Sequence, residues 1–326
     1  MVINHTFELS MTLDTEHFQR IFARACESSY LKEVDDEYID TSLMEKGIMV
    51  IYRSSRYKKK VRLLANASLI VDDGNDTDKL IRKLDKRLAS YFKHQYRLDD
   101  FTLSGANLVV DIDVGSRTNV SDYLKVLRRV GKVKGFSPVD YEFLDGVDNL
   151  CLSGNSNDID FLLYDLSAAI VSQRRNADTS RKLLKSMSSQ VGSIIRTEVR
   201  LTKPKAIRAY TNAADVSGQI VELIKDRQRV FQDTFARIIP FGDFYKKDAA
   251  VGIVRSEVTD SIMRRRMLRL LALIPEKKSL HLAQKTMNCR DVDKVMEAFV
   301  RINLSPVTLS KRHEVKHLEN LYSFFL

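Results

Sequence analysis

One stretch of this sequence places two carboxylates within an apolar run, and it reads Leu108-Val109-Val110-Asp111-Ile112-Asp113-Val114. Successive side chains of a β-strand point to opposite faces, so Asp111 and Asp113 share one face and lie about 7 Å apart. Neighbouring carboxylates repel each other and require a compensating cation. A divalent metal, Mg²⁺ or Mn²⁺, is one hypothesis, because hard cations bind carboxylate oxygens. A solvated acidic face of the sheet is the other.

The segments before this strand predict alternating strands and helices. The apolar residues of Phe7–Leu13 alternate with polar ones, as in a half-buried strand, and Asp14 then suits the N-cap of a helix. An acidic connection is expected at Glu33–Asp40. Two strands, a helix and the Asp111 strand are predicted at Gly47–Arg53, Lys58–Ala65, Asp76–Tyr96 and Phe101–Val114. This β-α-β-β-α-β order is typical of a ferredoxin-like antiparallel sheet.

The later segments extend this sheet and then change in character. Leu150–Leu152 and Ile159–Tyr164 flank a loop rich in Ser, Gly and Asn, which predicts an extra hairpin, and Ser193–Leu201 predicts an extra strand. Helical spacing predicts helices at Val216–Ile239, Val258–Ile274 and Arg290–Ile302. We therefore predict an α+β fold with two domains, an α/β domain at 1–210 and a basic helical domain at 211–326.

Charge is unevenly distributed along the 326 residues. The formal net charge is +10, but residues 1–165 contain 23 Lys and Arg against 27 Asp and Glu, whereas residues 166–326 contain 30 against 16. A strongly basic half suggests a polyanionic partner, of which nucleic acid is the most common. Helix faces that are basic and merely solvated are the alternative.

Several classes of protein are excluded by composition. The three cysteines, Cys26, Cys151 and Cys289, are single and far apart, which excludes a disulfide framework and a paired-cysteine zinc site. No apolar run approaches the ~20 residues that cross a bilayer, and the first residues lack the pattern of a signal peptide. We therefore expect a cytoplasmic protein with no membrane partner.

The strand at Ser193–Leu201 repeats the two-faced pattern with charges of both signs. Arg196, Glu198 and Arg200 share one face of it. Two arginines around a glutamate suit contact with DNA phosphates beside a metal ligand. A self-neutralising ladder of charges is the alternative.

The basic half contains a second candidate for contact with DNA. Two predicted helices around the segment Ser279–Arg290 match a helix-turn-helix in outline, although many helical hairpins also fit this pattern. The second of these helices carries two basic residues near its start, Arg290 and Lys294. An arginine cluster precedes the motif, and we expect it to contact phosphates: Arg264, Arg265, Arg266 and Arg269.

Three segments together resemble motifs of the rolling-circle replication initiation factors of Gram-positive plasmids and integrative elements. Leu108–Val114 resembles their strand with two aspartates, Leu152–Asp165 their hairpin ending in Tyr-Asp-Lys, and Ile194–Leu201 their Leu-Arg-x-Glu strand. The order and spacing of the three agree over residues 1–210. Leu166 stands where the family has the lysine of Tyr-Asp-Lys, and no tyrosine precedes Glu198 on its strand.

The resemblance implies a DNA-binding replication initiator that nicks one strand of origin DNA. A divalent metal would polarise the phosphodiester while a tyrosine attacks it, which leaves a 5′-phosphotyrosine and a free 3′-hydroxyl. Asp111, Asp113 and Glu198 would map to the metal-binding positions. The nucleophile stays open between Tyr164 and Tyr210.

Other functions remain open at this point. The same scaffold could serve as a non-catalytic regulator that binds DNA or RNA, or as a scaffold for protein partners, for which the basic half would be incidental. The DNA partner would be origin DNA in duplex and single-stranded form, and a homodimer is an open alternative. The sequence names neither the origin nor the host element.

Overall fold

The structure is a computed structural model that describes residues 5–73, 76–172 and 190–324. Ten strands form one antiparallel sheet in the order β2-β3-β4-β5-β1-β6-β10-β9-β8-β7. Their bounds are β1 Thr6–Leu13, β2 Leu31–Val34, β3 Glu37–Asp40, β4 Ile48–Ser54, β5 Lys59–Asn66, β6 Thr102–Asp113, β7 Phe136–Pro138, β8 Asn149–Gly154, β9 Ile159–Asp165 and β10 Ile194–Leu201. Two short strands, β11 (Phe244–Tyr245) and β12 (His317–Leu318), form a separate pair.

The described helices are distributed along the whole chain. They are α1 Thr15–Cys26, α2 Ala67–Ile70, α3 Thr77–Tyr91, α4 Arg117–Leu127, α5 Leu166–Ser172, α6 Pro204–Arg208, α7 Val216–Lys225, α8 Arg227–Ile238, α9 Lys247–Glu257, α10 Ser261–Lys277, α11 Leu280–Met287 and α12 Val292–Arg301. The α+β prediction is confirmed at this level, a large antiparallel sheet combined with helices.

The chain forms two compact units that alternate along the sequence. The first comprises Met1–Val110, Asn157–Asp160 and Glu198–Val230, and the second comprises Asp111–Ser156, Phe161–Thr197 and Phe231–Leu326. The predicted domain boundary at residue 210 stays a prediction.

The core of the first unit is built on β1. This strand pairs with β5 on one side and β6 on the other, both antiparallel. Phe7 and Leu9 are fully buried, as their alternation with polar residues predicts. Helix α1 begins at its N-cap Asp14, whose carboxylate accepts from the amide of His17, and its Phe18 packs edge-on against Tyr52 of β4.

The core of the second unit includes helix α10. Its buried residues recur at helical spacing, and α9, α11 and α12 pack against it. The buried residues are Met267, Leu270, Leu271 and Ile274. Asp260 caps its N-terminus by accepting from the amides of Ile262 and Met263.

The structure corrects the expected acidic connection at Glu33–Asp40. This segment forms the β2–β3 hairpin, in which Leu31 pairs with Asp40 and Val34 with Glu37. The two residues at the turn, Asp35 and Asp36, both have positive φ, at 47° and 64°. Turns of this kind fit the twist of a two-stranded hairpin, and aspartate tolerates the left-handed region better than most residues.

Three helix predictions also differ from the structure. The helix predicted to end at Tyr96 ends at Tyr91, because Lys93 and His94 adopt left-handed conformations (φ 50° and 62°). The helix predicted at Val216–Ile239 is two helices, α7 and α8, which meet at Asp226. Helix α9, at Lys247–Glu257, lies between two predicted helices in a segment for which no helix was predicted.

Candidate functional site

The polar residues of β6 and β10 form two clusters, one within each compact unit. In the second unit, Asp111 of β6 and Arg196 of β10 form a bidentate ion pair. Arg196 Nε donates to Asp111 Oδ1 at 2.7 Å, and its Nη2 donates to Oδ2 at 2.8 Å. The carboxylate side chain is only 7% exposed and the guanidinium side chain 14%. Parallel hydrogen bonds between a guanidinium and a carboxylate are among the strongest polar contacts in proteins.

Asp113 lies two residues further along β6 and is exposed. Its Oδ1 accepts from the amide of Gly115 at 2.9 Å. The Gly115 amide, together with the Ser193 hydroxyl, lowers the pKa of this carboxyl, because both donate to its charged form. Asp113 is therefore ionised and ready to bind a cation or a hydrogen-bond donor.

The cluster of the first unit surrounds Glu198. Its Oε2 accepts from Asn107 Nδ2 at 2.9 Å and from Arg200 Nε and Nη2 at 3.1 and 2.8 Å. The Glu198 side chain is 6% exposed and that of Arg200 26%. Asn107 Oδ1 is buried and has no hydrogen-bond partner among the described residues. Glu198 is buried like its neighbours Thr197 and Val199, and an arginine of the same strand neutralises it, as the alternative of a self-neutralising charge ladder predicts.

As arranged, these carboxylates do not fit a metal site by themselves. Both oxygens of Asp111 are bound by Arg196, and Oε2 of Glu198 receives three donors. Across residues 5–73, 76–172 and 190–324, no group of three or more His, Cys, Asp or Glu could hold a metal ion. A bound guanidinium occupies the positions at which a divalent cation would bind. Metal binding by Asp111, Asp113 and Glu198 stays a prediction.

The two tyrosines proposed as nucleophiles lie in different environments. Tyr164 on β9 is 4% exposed within an apolar cluster of the second unit that includes Leu144, Leu162 and Ala169. The edge of its ring faces Phe143, with ring centroids 6.0 Å apart. Asp165, the next residue, caps α5 by accepting from the amide of Ala168. A nucleophile must reach a phosphate, and this burial keeps DNA away from the Tyr164 hydroxyl.

Tyr210 follows helix α6 in the first unit and is half-buried. The guanidinium of Arg229 lies over its ring, 6.0 Å from the centroid. A cation over an aromatic ring is attracted to the electron density of its face. Of the two candidates, Tyr210 is the more accessible.

The arginine cluster of α10 is divided between exposed and bound side chains. Arg265 and Arg269 are exposed. Arg264 donates to the carbonyl of Val258 at 3.3 Å, and Arg266 pairs with Asp291 at 3.2 Å. Arg265 and Arg269 are therefore the members of the cluster that present their charges to solvent.

The helix expected to read DNA bases, α12, has a mixed charge. Lys294 pairs with Asp291 at 3.3 Å, and Arg301 lies 3.9 Å from Glu297. Arg290 is exposed in the turn before the helix, where Asn288 adopts a left-handed conformation (φ 45°). A cleft of about 450 Å³ beside α12, here called the α12 cleft, is lined by three acidic and two basic residues: Glu257, Asp260, Glu297, Lys294 and Arg301. This mixture of charges does not favour a polyanion.

Sequence reasoning missed a second cleft in the same unit. This basic cleft has a volume of about 220 Å³, and its polar lining is Lys132, Lys134, Arg237, His281 and Gln284. No acidic residue lines it. Lys132 and Lys134 lie in the loop between α4 and β7, Arg237 near the end of α8, and His281 in the first turn of α11. Their separation along the chain hides the cluster from sequence patterns, although Lys132-Val133-Lys134 is a local hint.

The first unit contains one further polar network, at a cleft of about 260 Å³. Tyr91 Oη donates to Oδ2 of the buried Asp40 at 2.6 Å and lies 2.8 Å from Tyr52 Oη. Burial raises the pKa of both tyrosines, so both hydroxyls keep their protons. This network was also not predicted, because its residues come from β3, β4 and α3.

Comparison with models of known protein families finds no match, and comparison with curated proteins finds none either. The helices of the described residues include none that is both long and apolar enough to cross a membrane.

Proposed function

We propose that this protein is a DNA-binding replication initiator that nicks one strand of origin DNA through a tyrosine. The observation that carries the proposal is the pair of buried carboxylates, Asp111 and Glu198, each bound by an arginine on β10. Buried ion pairs contribute little net stability, because the cost of removing charges from water offsets their attraction. The presence of these ion pairs on β6 and β10 is therefore more readily explained by a role in function than by a contribution to stability.

The arginines give these clusters a chemistry suited to phosphodiesters. A guanidinium that binds a carboxylate through two parallel hydrogen bonds binds a phosphate in the same geometry. Arg196 and Arg200 are separated by an even number of positions along β10, so their side chains lie on the same face of the strand. We expect a DNA phosphate to contact Arg196 or Arg200 only by displacing the carboxylate that each guanidinium binds here.

The order of the strands also supports the proposal. In the first unit, β4, β5, β1 and β6 are neighbours in that order, and each printed pairing among them is antiparallel. Helix α1 connects β1 to the segment before β4, and α3 precedes β6. This order is the one expected for the ferredoxin-like arrangement that the resemblance implies.

The proposed chemistry is a transesterification. The hydroxyl oxygen of Tyr210 attacks the phosphorus, the bond from phosphorus to the 3′ oxygen breaks, and a 5′-phosphotyrosine forms. The phenolic proton is lost and the leaving oxygen gains a proton to give a free 3′-hydroxyl. We assign the nucleophile to Tyr210, because Tyr164 is buried in an apolar cluster.

A second candidate function is a non-catalytic regulator that binds nucleic acid on the same scaffold. The pairing of Asp111 with Arg196 favours it, since the guanidinium already compensates the charge of this carboxylate without a metal. DNA binding with no cleavage under any metal would support this candidate.

The test incubates the full chain with a library of supercoiled plasmids in Mg²⁺, Mn²⁺ or EDTA. Nicked circles and covalent protein–DNA adducts are scored separately. We expect adducts from the wild type and from Tyr164→Phe, and none from Tyr210→Phe, which should still bind DNA. Adducts from Tyr210→Phe would contradict the assignment of the nucleophile, and no adduct from the wild type would contradict the nicking function.

A further inference from the structure

The basic cleft collects positive charge from three separate parts of the second unit. Lys132 and Lys134 are exposed, and the described residues place no acidic group in an ion pair with either of them or with Arg237. Cations without acidic neighbours repel one another, and this arrangement becomes favourable when an anion binds. The cleft is therefore suited to an anionic ligand.

Two local features hold these cations in place. A β-carbon at Gly131, which has φ 73°, would overlap the hydroxyl oxygen of Ser279, so the Lys132 loop packs closely on the N-cap of α11. The guanidinium of Arg237 lies over the ring of Phe136, with 4.9 Å between its central carbon and the ring centroid. The first feature constrains the backbone of the loop that carries both lysines, and the second orients the guanidinium of Arg237 before any ligand binds.

The remaining lining matches the other parts of a nucleic-acid backbone. Leu280, Pro240 and Met296 supply apolar surface, which suits the carbon atoms of a sugar. His281 and Gln284 of α11 add hydrogen-bonding groups. Since Leu280 and His281 of the first turn of α11 line the cleft, the positive end of this helix dipole lies beside it.

We propose that the basic cleft binds the phosphodiester backbone of DNA through Lys132, Lys134 and Arg237. This inference rests on the proposed function for the identity of the polyanion, and it adds a backbone contact outside the arginine cluster of α10. The α12 cleft is larger, but its three acidic residues would repel phosphates. DNA bound in the basic cleft is held without regard to sequence, because phosphates carry no base information.

The test measures binding of the full chain to labelled 30-base-pair duplexes by fluorescence anisotropy at several KCl concentrations. The double variant Lys132→Gln/Lys134→Gln should weaken binding about tenfold and reduce the slope of log affinity against log salt by about two. The variant Gln284→Glu, which adds a carboxylate to the cleft and keeps both lysines, should weaken binding as well. The matched control is Lys247→Gln/Lys311→Gln, which removes the same charge at exposed positions outside the cleft.

The outcomes separate this inference from the proposed function. If the cleft variant and the control lose the same DNA affinity, or if neither loses any, the cleft assignment is wrong even if the wild type nicks DNA. Loss confined to the cleft variants, without adducts in the plasmid assay, would support the cleft and contradict the nicking. Duplex RNA bound as tightly as DNA, with the same loss, would overturn the choice of DNA.

Discussion

The arginines of β10 and the cations of the basic cleft carry the same charge in opposite surroundings. Arg196 and Arg200 are bound by carboxylates and are largely buried, whereas Lys132 and Lys134 are exposed and line a cleft without acidic groups. A paired, buried charge has a fixed position and a large energetic consequence when its partner is removed. An unpaired, exposed charge contributes little to folding and remains available to a ligand. In the proposed function, the paired charges position groups at the reaction site and the unpaired charges of the cleft bind the polyanion.

The largest expected effect is at the buried ion pair. Asp111→Ala should lower the free energy of unfolding by about 3–5 kcal/mol, because it leaves the guanidinium of Arg196 buried without its carboxylate. The measurement is unfolding in urea at pH 7. Asp113→Ala removes an exposed carboxylate of the same strand and should cost less than about 1 kcal/mol. Similar losses of unfolding free energy in the two variants would contradict the expectation that the paired carboxylate stabilises the fold more than the exposed one.

A pH effect of intermediate size is expected at His5, a buried group of the first unit. Its Nδ1 accepts from the amide of Val109 at 3.1 Å. Burial, with a smaller contribution from the charge of Arg227, lowers the pKa of His5 from 6.5 to about 4. The unfolded chain therefore takes up a proton below pH 6.5 while the folded chain resists until about pH 4. Stability should fall across this window by about 3 kcal/mol in total.

This prediction is checked by urea unfolding at pH 7, 5.5 and 4.5. His5→Asn retains an acceptor for the Val109 amide but does not titrate, so its stability should change less over the same range than that of the wild type. Parallel pH curves for the two proteins would show that other groups cause the loss.

The smallest effect is expected in the basic cleft. The double variant Lys132→Gln/Lys134→Gln should change the free energy of unfolding by no more than about 0.5 kcal/mol, since both side chains are exposed. Relief of repulsion between cations could make the change slightly stabilising. Thermal and urea unfolding of the same samples used for the DNA titrations provide the measurement. A loss above 1 kcal/mol would mean that these lysines support the fold.

Local patterns in the sequence predicted much of the sheet. Apolar and polar residues alternate in Phe7–Leu13 and in the β10 segment. This pattern depends only on which side chains prefer water, so it predicts both that each segment is a strand and which side chains share a face. The N-cap at Asp14 was equally local. The β2–β3 hairpin was not predicted, because its strands are short and rich in charged residues, which obscures any alternation. Its turn is evident only in the structure, where Asp35 and Asp36 have positive φ.

The sequence by itself determined most strands of the large sheet, the acidic pattern of β6, the alternating charges of β10 and the basic balance of the second half. The tertiary structure decided which charges meet. Asp111 and Arg196 are 85 residues apart, and their pairing requires the closure of long loops before any contact forms. The basic cleft likewise joins Lys132, Arg237 and His281 from distant segments. Local preferences act over a few residues, whereas ion pairs and clefts arise only when packing brings distant residues together.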